Sequence, residues 1–246
     1  MLFQQTLDKL HQLKLRGMAQ ALQEQYGHGD FTQLPFEERI GLAVDKEWTL
    51  RQNRQLARKL QMAKLKFPSA CVEDINYKHP RGLDKGAMRE LTSCRWVPAR
   101  RNLILTGATG LGKTWLACAF AHKACREGFS AVYTRVPRLI EELSVARADG
   151  SYLRVLAALA RADLLILDDW GLVAVSQAAQ HSLLEVVDDR AGIRSILVTS
   201  QLPVENWHDT VGDPSVADAL LDRLLMNSTV IPMEGESMRR PGKSPR

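Results

Sequence analysis

A glycine-rich loop between an apolar run and an alanine-rich segment constrains the fold of this chain more than any other feature. Residues 103–114 read Leu-Ile-Leu-Thr-Gly-Ala-Thr-Gly-Leu-Gly-Lys-Thr and fit the pattern G-x-x-x-x-G-K-[ST]. Such a loop turns backbone N–H groups toward phosphates, adds a lysine charge, and offers a hydroxyl to Mg²⁺. The alternative is a glycine-rich turn whose lysine binds no phosphate. We predict a nucleoside triphosphate site formed by Gly107, Ala108, Thr109, Gly110, Leu111, Gly112, Lys113, Thr114 and Trp115.

From Asn102 onward the sequence alternates between short apolar runs and helical patterns, which is typical of an α/β fold with a parallel sheet. We predict five strands, at 102–106, 130–134, 163–168, 195–200 and 228–232, and helices at 113–127, 136–147, 152–161, 177–191 and 215–226. Before Asn102 the periodicity predicts only helices, at 2–26, 36–64 and 85–91. The expected domains are a helical domain at 1–98, a nucleotide domain at 99–237, and a basic tail at 238–246.

The charge of the chain is unevenly distributed. Residues 1–100 hold 17 Lys and Arg against 11 Asp and Glu, whereas the remainder holds 16 against 17. A basic front half predicts a polyanionic partner. Contact with DNA phosphates, without sequence reading, is one interpretation, and a solvated basic helix is the alternative. The predicted DNA contacts are Arg51, Arg54, Arg58, Lys59, Lys64 and Lys66, with Arg135 and Arg138 as alternatives in the nucleotide domain.

Several other classes of protein do not fit the sequence. No run of 18 uncharged apolar residues is present, and the first residues lack a secretory pattern. The four cysteines lie far apart, without a C-x-x-C pair. We therefore expect a reduced cytoplasmic protein without membrane association or structural metal.

Two further apolar runs end in polar residues that suit phosphate chemistry. The run from Leu164 leads into Asp168 and Asp169, and a carboxylate at that end of a strand beside the glycine-rich loop positions Mg²⁺. We assign Asp168 to the metal and Asp169 to the attacking water as a base. The run from Ser195 ends in Thr-Ser-Gln, and one of these side chains, Gln201 among them, is expected to sense the γ-phosphate.

A single arginine, Arg223, lies in an apolar helix near the end of the chain. An arginine that reaches a neighbouring subunit's nucleotide stabilises the charge that develops during phosphoryl transfer and makes hydrolysis depend on assembly. The alternative is a surface arginine paired with Asp222 or Asp218.

Taken in order, these motifs resemble an AAA+ ATPase of the initiator and helicase-loader type. More narrowly, the chain is similar to the IstB transposition helper ATPases of insertion sequences, which are relatives of the DnaC helicase loader. The residues that carry this resemblance are Leu13–Met18, Leu167–Gly171, Val198–Pro203, Trp207, Gly212–Pro214 and Ile231–Ser237.

The resemblance implies a Mg²⁺-dependent ATPase that forms a homo-oligomer on double-stranded DNA and recruits or stimulates a cognate transposase. It also implies that Gln201 is the sensor, Arg223 the trans-acting arginine finger and Arg239 a second sensor arginine. The second acid is Asp169 where the wider group has Glu, and little sequence follows the last strand, so no helical lid is expected. A replicative helicase loader and a small-molecule P-loop kinase remain as alternatives.

Overall fold

The computed structural model describes residues 2–172 and 176–238, and the chain divides into two compact units, Met1–Arg58 and Lys59–Arg246. The predicted domain boundary near residues 95–100 therefore differs from the division that the structure shows. Residues 59–98 belong to the larger unit, where many of their apolar side chains are buried, although Met62 and Tyr77 are exposed. Trp96, for example, packs edge-to-face on Phe120, with ring centroids 6.4 Å apart.

The smaller unit begins with two helices, α1 (Leu2–Gln12) and α2 (Arg16–Gly27), so the prediction of one helix over 2–26 is wrong. Lys14 has a left-handed φ of 60° and ends α1. The N–H of Leu15 donates to the carbonyl of Leu10 at 2.8 Å and that of Lys14 to His11 at 3.0 Å, which is a Schellman termination. A lysine occupies the position where glycine is usual, so the sequence carried no stop signal.

A long helix, α3 (Phe36–Ala63), follows and closely matches the predicted 36–64. Its residue Glu47 is buried and accepts hydrogen bonds from the N–H groups of Gly17 at 2.6 Å and Met18 at 3.3 Å. A Cβ at position 17 would lie 2.6 Å from the Cα of Glu47. Gly17 is therefore required by the close approach of α2 and α3.

The larger unit contains the short helix α4 (Lys85–Thr92), close to its predicted position. Asp84 precedes this helix and accepts a hydrogen bond from the N–H of Ala87 at 2.7 Å, which caps the helix.

All five predicted strands are present in one parallel sheet, in the order β2-β3-β4-β1-β5. They are β1 (Asn102–Gly107), β2 (Ala131–Arg135), β3 (Leu164–Trp170), β4 (Ser195–Ser200) and β5 (Ser228–Met233). The helices that accompany them are α5 (Lys113–Arg126), α6 (Val136–Asp149), α7 (Tyr152–Arg161), α8 (Gln177–Asp188), α9 (Trp207–Val211) and α10 (Pro214–Leu225). The short helix α9 is the one that the sequence pattern did not predict.

The strand order places the carboxyl ends of β3, β4 and β1 side by side. Central strands of a parallel sheet are covered on both faces, and β4 is accordingly buried at every position. Ligands of such sheets bind at the carboxyl edge, which here receives the ends of all three motif-bearing strands. Within the described residues, which end at Met238, no helix follows β5. No helix in the described parts of the chain is long and apolar enough to span a membrane.

Candidate nucleotide-binding site

The glycine-rich loop connects β1 to α5 in a conformation that requires glycine. Gly107 has a φ of 132°, and a Cβ there would lie 2.0 Å from the carbonyl oxygen of Met233. Gly110 has a φ of 89°, and its Cβ would collide with Ser237. The glycines therefore allow the loop to turn tightly while β5 and the segment after it lie against it.

Lys113, in the first turn of α5, is 8% exposed. Its Nζ donates to the carbonyl oxygens of Gly107 at 2.5 Å and Ala108 at 2.9 Å. The ammonium group is thus held over the loop, beside the N-terminal end of a helix. A helix terminus and a buried ammonium both attract anions, as the phosphate prediction requires.

Asp168 is fully buried at the end of β3 and accepts hydrogen bonds from three hydroxyl groups. Thr114 donates to Oδ1 at 2.8 Å, Thr199 donates to the same oxygen at 2.5 Å, and Tyr133 donates to Oδ2 at 2.7 Å. Burial and the neighbouring Asp168 carboxylate raise the pKa of the Tyr133 hydroxyl, so it remains a donor. The three hydroxyls fix the orientation of the carboxylate.

The Thr114 hydroxyl and the Asp168 carboxylate suit Mg²⁺. Both are hard oxygen donors, and they lie 2.8 Å apart. Mg²⁺ commonly takes one or two protein ligands and completes its shell with water and phosphate oxygens. The described residues contain no group of three or more His, Cys, Asp or Glu that would form an all-protein metal site, and the donor set therefore fits this mode of binding.

Asp169 follows with a left-handed φ of 62°, at an irregularity in the pairing of β3 with β4. Its N–H donates to Thr199 Oγ1 at 3.2 Å, and its Oδ2 accepts from Arg135 Nε at 2.7 Å. The unusual backbone turns the Asp169 side chain away from Asp168, so the two neighbouring carboxylates have different partners, although Thr199 also accepts from the Asp169 N–H. The hydrogen bond to Asp169 raises the pKa of Arg135, which keeps that arginine charged.

One cavity of about 480 Å³ is lined by part of this residue set but not by the buried Asp168, and its volume is within the usual range for ligand pockets. It is lined by Thr109, Gly110, Gly112, Lys113, Thr114, Trp115, Asp169 and Gln201 of the predicted site, together with Lys66, Phe67, Asp74, Asn76, Arg81, Arg135, Leu172 and Met238. Four cationic and two acidic side chains line it, a balance that favours an anion. Lys66 and Arg135, which the charge pattern predicted as DNA contacts, thus face this cavity.

Sequence reasoning did not single out three of the residues that shape the site. Thr199 bridges both acids, although the sensor prediction fell on Gln201, which lies exposed at the cavity wall. The polar end of β4 was the only signal for Thr199. Tyr133 and Arg81 had no local signal, because each meets its partner only through the tertiary fold.

The structure describes Arg223 but not Arg239, the other arginine that the resemblance assigns to the nucleotide. Arg223 does not line the cavity; its guanidinium forms an ion pair with Asp188 and donates to the carbonyl of Ala219 at 2.9 Å. The ion-pair partner of Arg223 is therefore Asp188, and not Asp222 or Asp218 as the alternative interpretation expected. Arg239 lies outside the described residues.

The other predicted DNA contacts lie in varied surroundings. Arg51 forms an ion pair with Glu47 at 2.6 Å, whereas Arg54 and Arg58, on the same face of α3, are exposed and have no ion pair among the described residues. Lys59 donates to the carbonyl of Gly128, Arg138 pairs with Glu142 at 3.1 Å, and Lys64 is exposed just after α3.

Comparison with known proteins identifies the family of this chain. The family model for the IstB-like ATP binding protein matches residues 8–245. The chain belongs to this family. An insertion sequence ATP-binding protein of Sinorhizobium fredii is 48% identical over 240 residues, covering 98% of each chain. The ATP-binding protein of insertion sequence IS1162 from Pseudomonas fluorescens is 53% identical over 203 residues, 82% of this chain and 88% of that protein.

Solved structures place this IstB-like chain in the AAA+ P-loop fold. The DnaC helicase loader superposes with a TM-score of 0.55 and 17% identity, covering 67% of this chain and 97% of that one. DnaI gives a TM-score of 0.58 with 22% identity, covering 68% and 92%. At these identities the similarity shows the fold alone.

Proposed function

We propose that this IstB-like protein hydrolyses ATP, assembles on double-stranded DNA in the bacterial cytoplasm, and serves a transposase as a helper. The observation that carries the ATPase part is the single cavity that joins Lys113, Thr114 and Asp169 in front of the buried Asp168. Each group has the chemistry that one part of phosphoryl transfer needs.

Lys113 and the loop N–H groups hold the phosphate chain of ATP, and the helix dipole of α5 adds to their attraction. Thr114 and Asp168 hold Mg²⁺, which when bound neutralises charge on the β- and γ-phosphates. Asp169 orients the attacking water and accepts its proton, and its Oδ2 is itself oriented by Arg135. Thr199 contacts both acids and couples their positions.

We propose that Arg223 acts across a subunit interface as an arginine finger and exchanges Asp188 for a neighbour's nucleotide on assembly. Its position outside the subunit's own cavity supports this role. Arg223→Ala is expected to bind ATP normally and to lose turnover by about 10³-fold or more, since such fingers contribute factors of that size.

Mixing variants tests whether Arg223 acts in trans. Lys113→Ala subunits bring an intact Arg223, and Arg223→Ala subunits bring an intact pocket, so the mixture should recover part of the ATPase rate. Arg194→Ala, which removes another surface arginine with an ion pair to Asp163, is the control and should retain turnover. If the mixture recovers no ATPase rate, and Arg223→Ala and Asp188→Ala lower the stability of the protein equally, the only role of Arg223 is its structural ion pair with Asp188.

We propose that the basic face of α3 contacts DNA phosphates through Arg54 and Arg58, which lack ion pairs among the described residues. Each phosphate contact adds roughly 0.9 to the slope of log affinity against log salt. Arg54→Gln with Arg58→Gln should therefore lower the slope by about 2 for duplexes of unrelated sequence.

The matched control for this salt titration is Arg51→Gln, because Arg51 already has Glu47 as its partner. It should change the slope by much less than the double variant. An unchanged slope in the double variant would instead indicate that other basic residues contact the DNA, among them Lys59, Lys64, Lys66, Arg135 and Arg138.

The transposase as partner is supported by the relatives, which are named insertion sequence ATP-binding proteins. Capture of purified partners tests this role against that of a replicative helicase loader. With ATP and duplex DNA, the immobilised chain should retain the transposase encoded by the same insertion sequence and not the host replicative helicase. Retention of the helicase alone, with preference for single strands, would favour the loader; phosphorylation of a small metabolite without any effect of DNA would favour a kinase.

A further inference from the structure

Arg81 lies in the segment that precedes α4 and is almost completely buried, at 2% exposure. It lines the nucleotide cavity, and its Nη1 donates to the carbonyl oxygen of Leu111 in the glycine-rich loop at 2.7 Å. A Cβ at Gly112 would come within 2.6 Å of the same nitrogen. The guanidinium therefore lies directly against the loop that binds phosphate.

The charge of Arg81 has no carboxylate partner among the residues that the structure describes, and its buried Nε lacks any hydrogen-bond partner there. Burial lowers the pKa of the guanidinium, because the charged form loses its hydration. A buried cation without a counter-charge is costly unless an anion binds beside it.

Close backbone contacts hold this arginine in place. A Cβ at Gly82 would lie 3.0 Å from the carbonyl oxygen of Pro232, and one at Gly235 would lie 2.3 Å from that of Pro80. The residues on both sides of Arg81 are thus packed against the end of β5 and the segment that follows it. Arg81 is fixed before any ligand arrives, which reduces the entropy cost of binding.

A second buried arginine in the same unit, Arg190, has different surroundings. It is fully buried, but its guanidinium donates to the carbonyl oxygens of Leu159 and of Ser195, the latter at 2.7 Å. It does not line the nucleotide cavity. The Nε of Arg190 also lacks a partner among the described residues, but its other nitrogens join main-chain segments. The Arg81 guanidinium donates only to the Leu111 carbonyl and, at 3.1 Å, to Met238 Sδ among the described residues, and it faces the site.

We propose that Arg81 is a nucleotide-binding residue that contacts the phosphate chain and supplies a second buried positive charge beside Lys113. The planar guanidinium suits this role, because two of its N–H groups can bond phosphate oxygens in parallel. The inference rests on the proposed nucleotide site and adds to it a residue from the segment before the sheet.

The test compares Arg81→Met with Arg190→Met by calorimetry with ADP and pyrophosphate and by thermal unfolding. Loss of one charge-assisted contact should weaken binding of both probes by about ten- to a hundredfold in Arg81→Met. The Tm of the ligand-free protein should fall less in this variant than in Arg190→Met, because Arg190 joins more main-chain carbonyls than Arg81 does. Arg190→Met should bind both probes as the wild type does, at temperatures below its own reduced Tm.

A second variant, Arg81→Gln, keeps a donor for the Leu111 carbonyl without the charge, and decides the question if Arg81→Met fails to fold. Binding of ADP and pyrophosphate within twofold of wild type in either folded variant would overturn the role of Arg81. Lys113→Ala separates this result from failure of the site itself. If the wild type binds ADP and Lys113→Ala does not, the nucleotide site stands whatever Arg81 does; if the wild type binds neither probe, the proposed site fails first.

Discussion

Lys113→Ala protein is expected to bind ATP and ADP at least about a hundredfold more weakly than the wild type while remaining folded. The ammonium group lies buried over the glycine-rich loop, where a charge-assisted bond to phosphate is worth more than on the surface. Two such bonds, at roughly 1.5 to 3 kcal/mol each, correspond to at least a factor of a hundred in Kd. Calorimetry with each nucleotide measures the change.

Lys123→Ala provides the control on the same helix. Lys123 forms a surface ion pair with Glu127 at 2.5 Å and does not line the cavity, so its removal should leave nucleotide affinity unchanged. Unchanged nucleotide affinity in Lys113→Ala would mean that the glycine-rich loop does not bind the nucleotide.

Asp169→Asn should bind ATP with nearly wild-type affinity and hydrolyse it about 10² to 10⁴ times more slowly, the range that a general base contributes. Asparagine has the same size as aspartate and its oxygen can still accept from Arg135, but it cannot take a proton from water. Asp168, with its three hydroxyl donors, is untouched, so the proposed Mg²⁺ site is unchanged. Single-turnover phosphate release and calorimetry separate the two effects.

Asp189→Asn is a matched control, because Asp189 is exposed and lies outside the cavity. It should turn over ATP at the wild-type rate. Full activity in Asp169→Asn would mean that Asp169 supports the structure and that another group positions the water.

The central strands β1, β3 and β4 were predictable because strands covered on both faces need nearly continuous apolar runs, and these stand out in the sequence. The break between α1 and α2 was not, since it depends on Lys14 in a left-handed conformation without a glycine. The extent of the larger unit also escaped prediction. Whether residues 59–98 join the front helices or the sheet depends on long-range contacts such as Trp96 with Phe120.

Within the site, residues inside a local motif were predictable and residues joined to it by the fold were not. The glycine-rich loop has a fixed spacing, so its members could be named from sequence alone. Tyr133 and Arg81 are 35 and 30 residues from the partners that they contact. Arg135 was assigned to DNA by its charge, yet the register of β2 pairs it with Asp168 and brings it beside Asp169.

The proposed assembly on DNA, which we expect to require ATP, is tested most directly by sedimentation velocity of the wild-type protein with a labelled duplex. We predict a fast-sedimenting complex with several subunits per duplex when ATP and DNA are both present. ATP alone, DNA alone, or DNA with ADP should give much smaller species, and Arg223→Ala should resemble them. A protein that stays monomeric under all conditions, or that coats the duplex equally without nucleotide, would contradict ATP-dependent assembly on DNA.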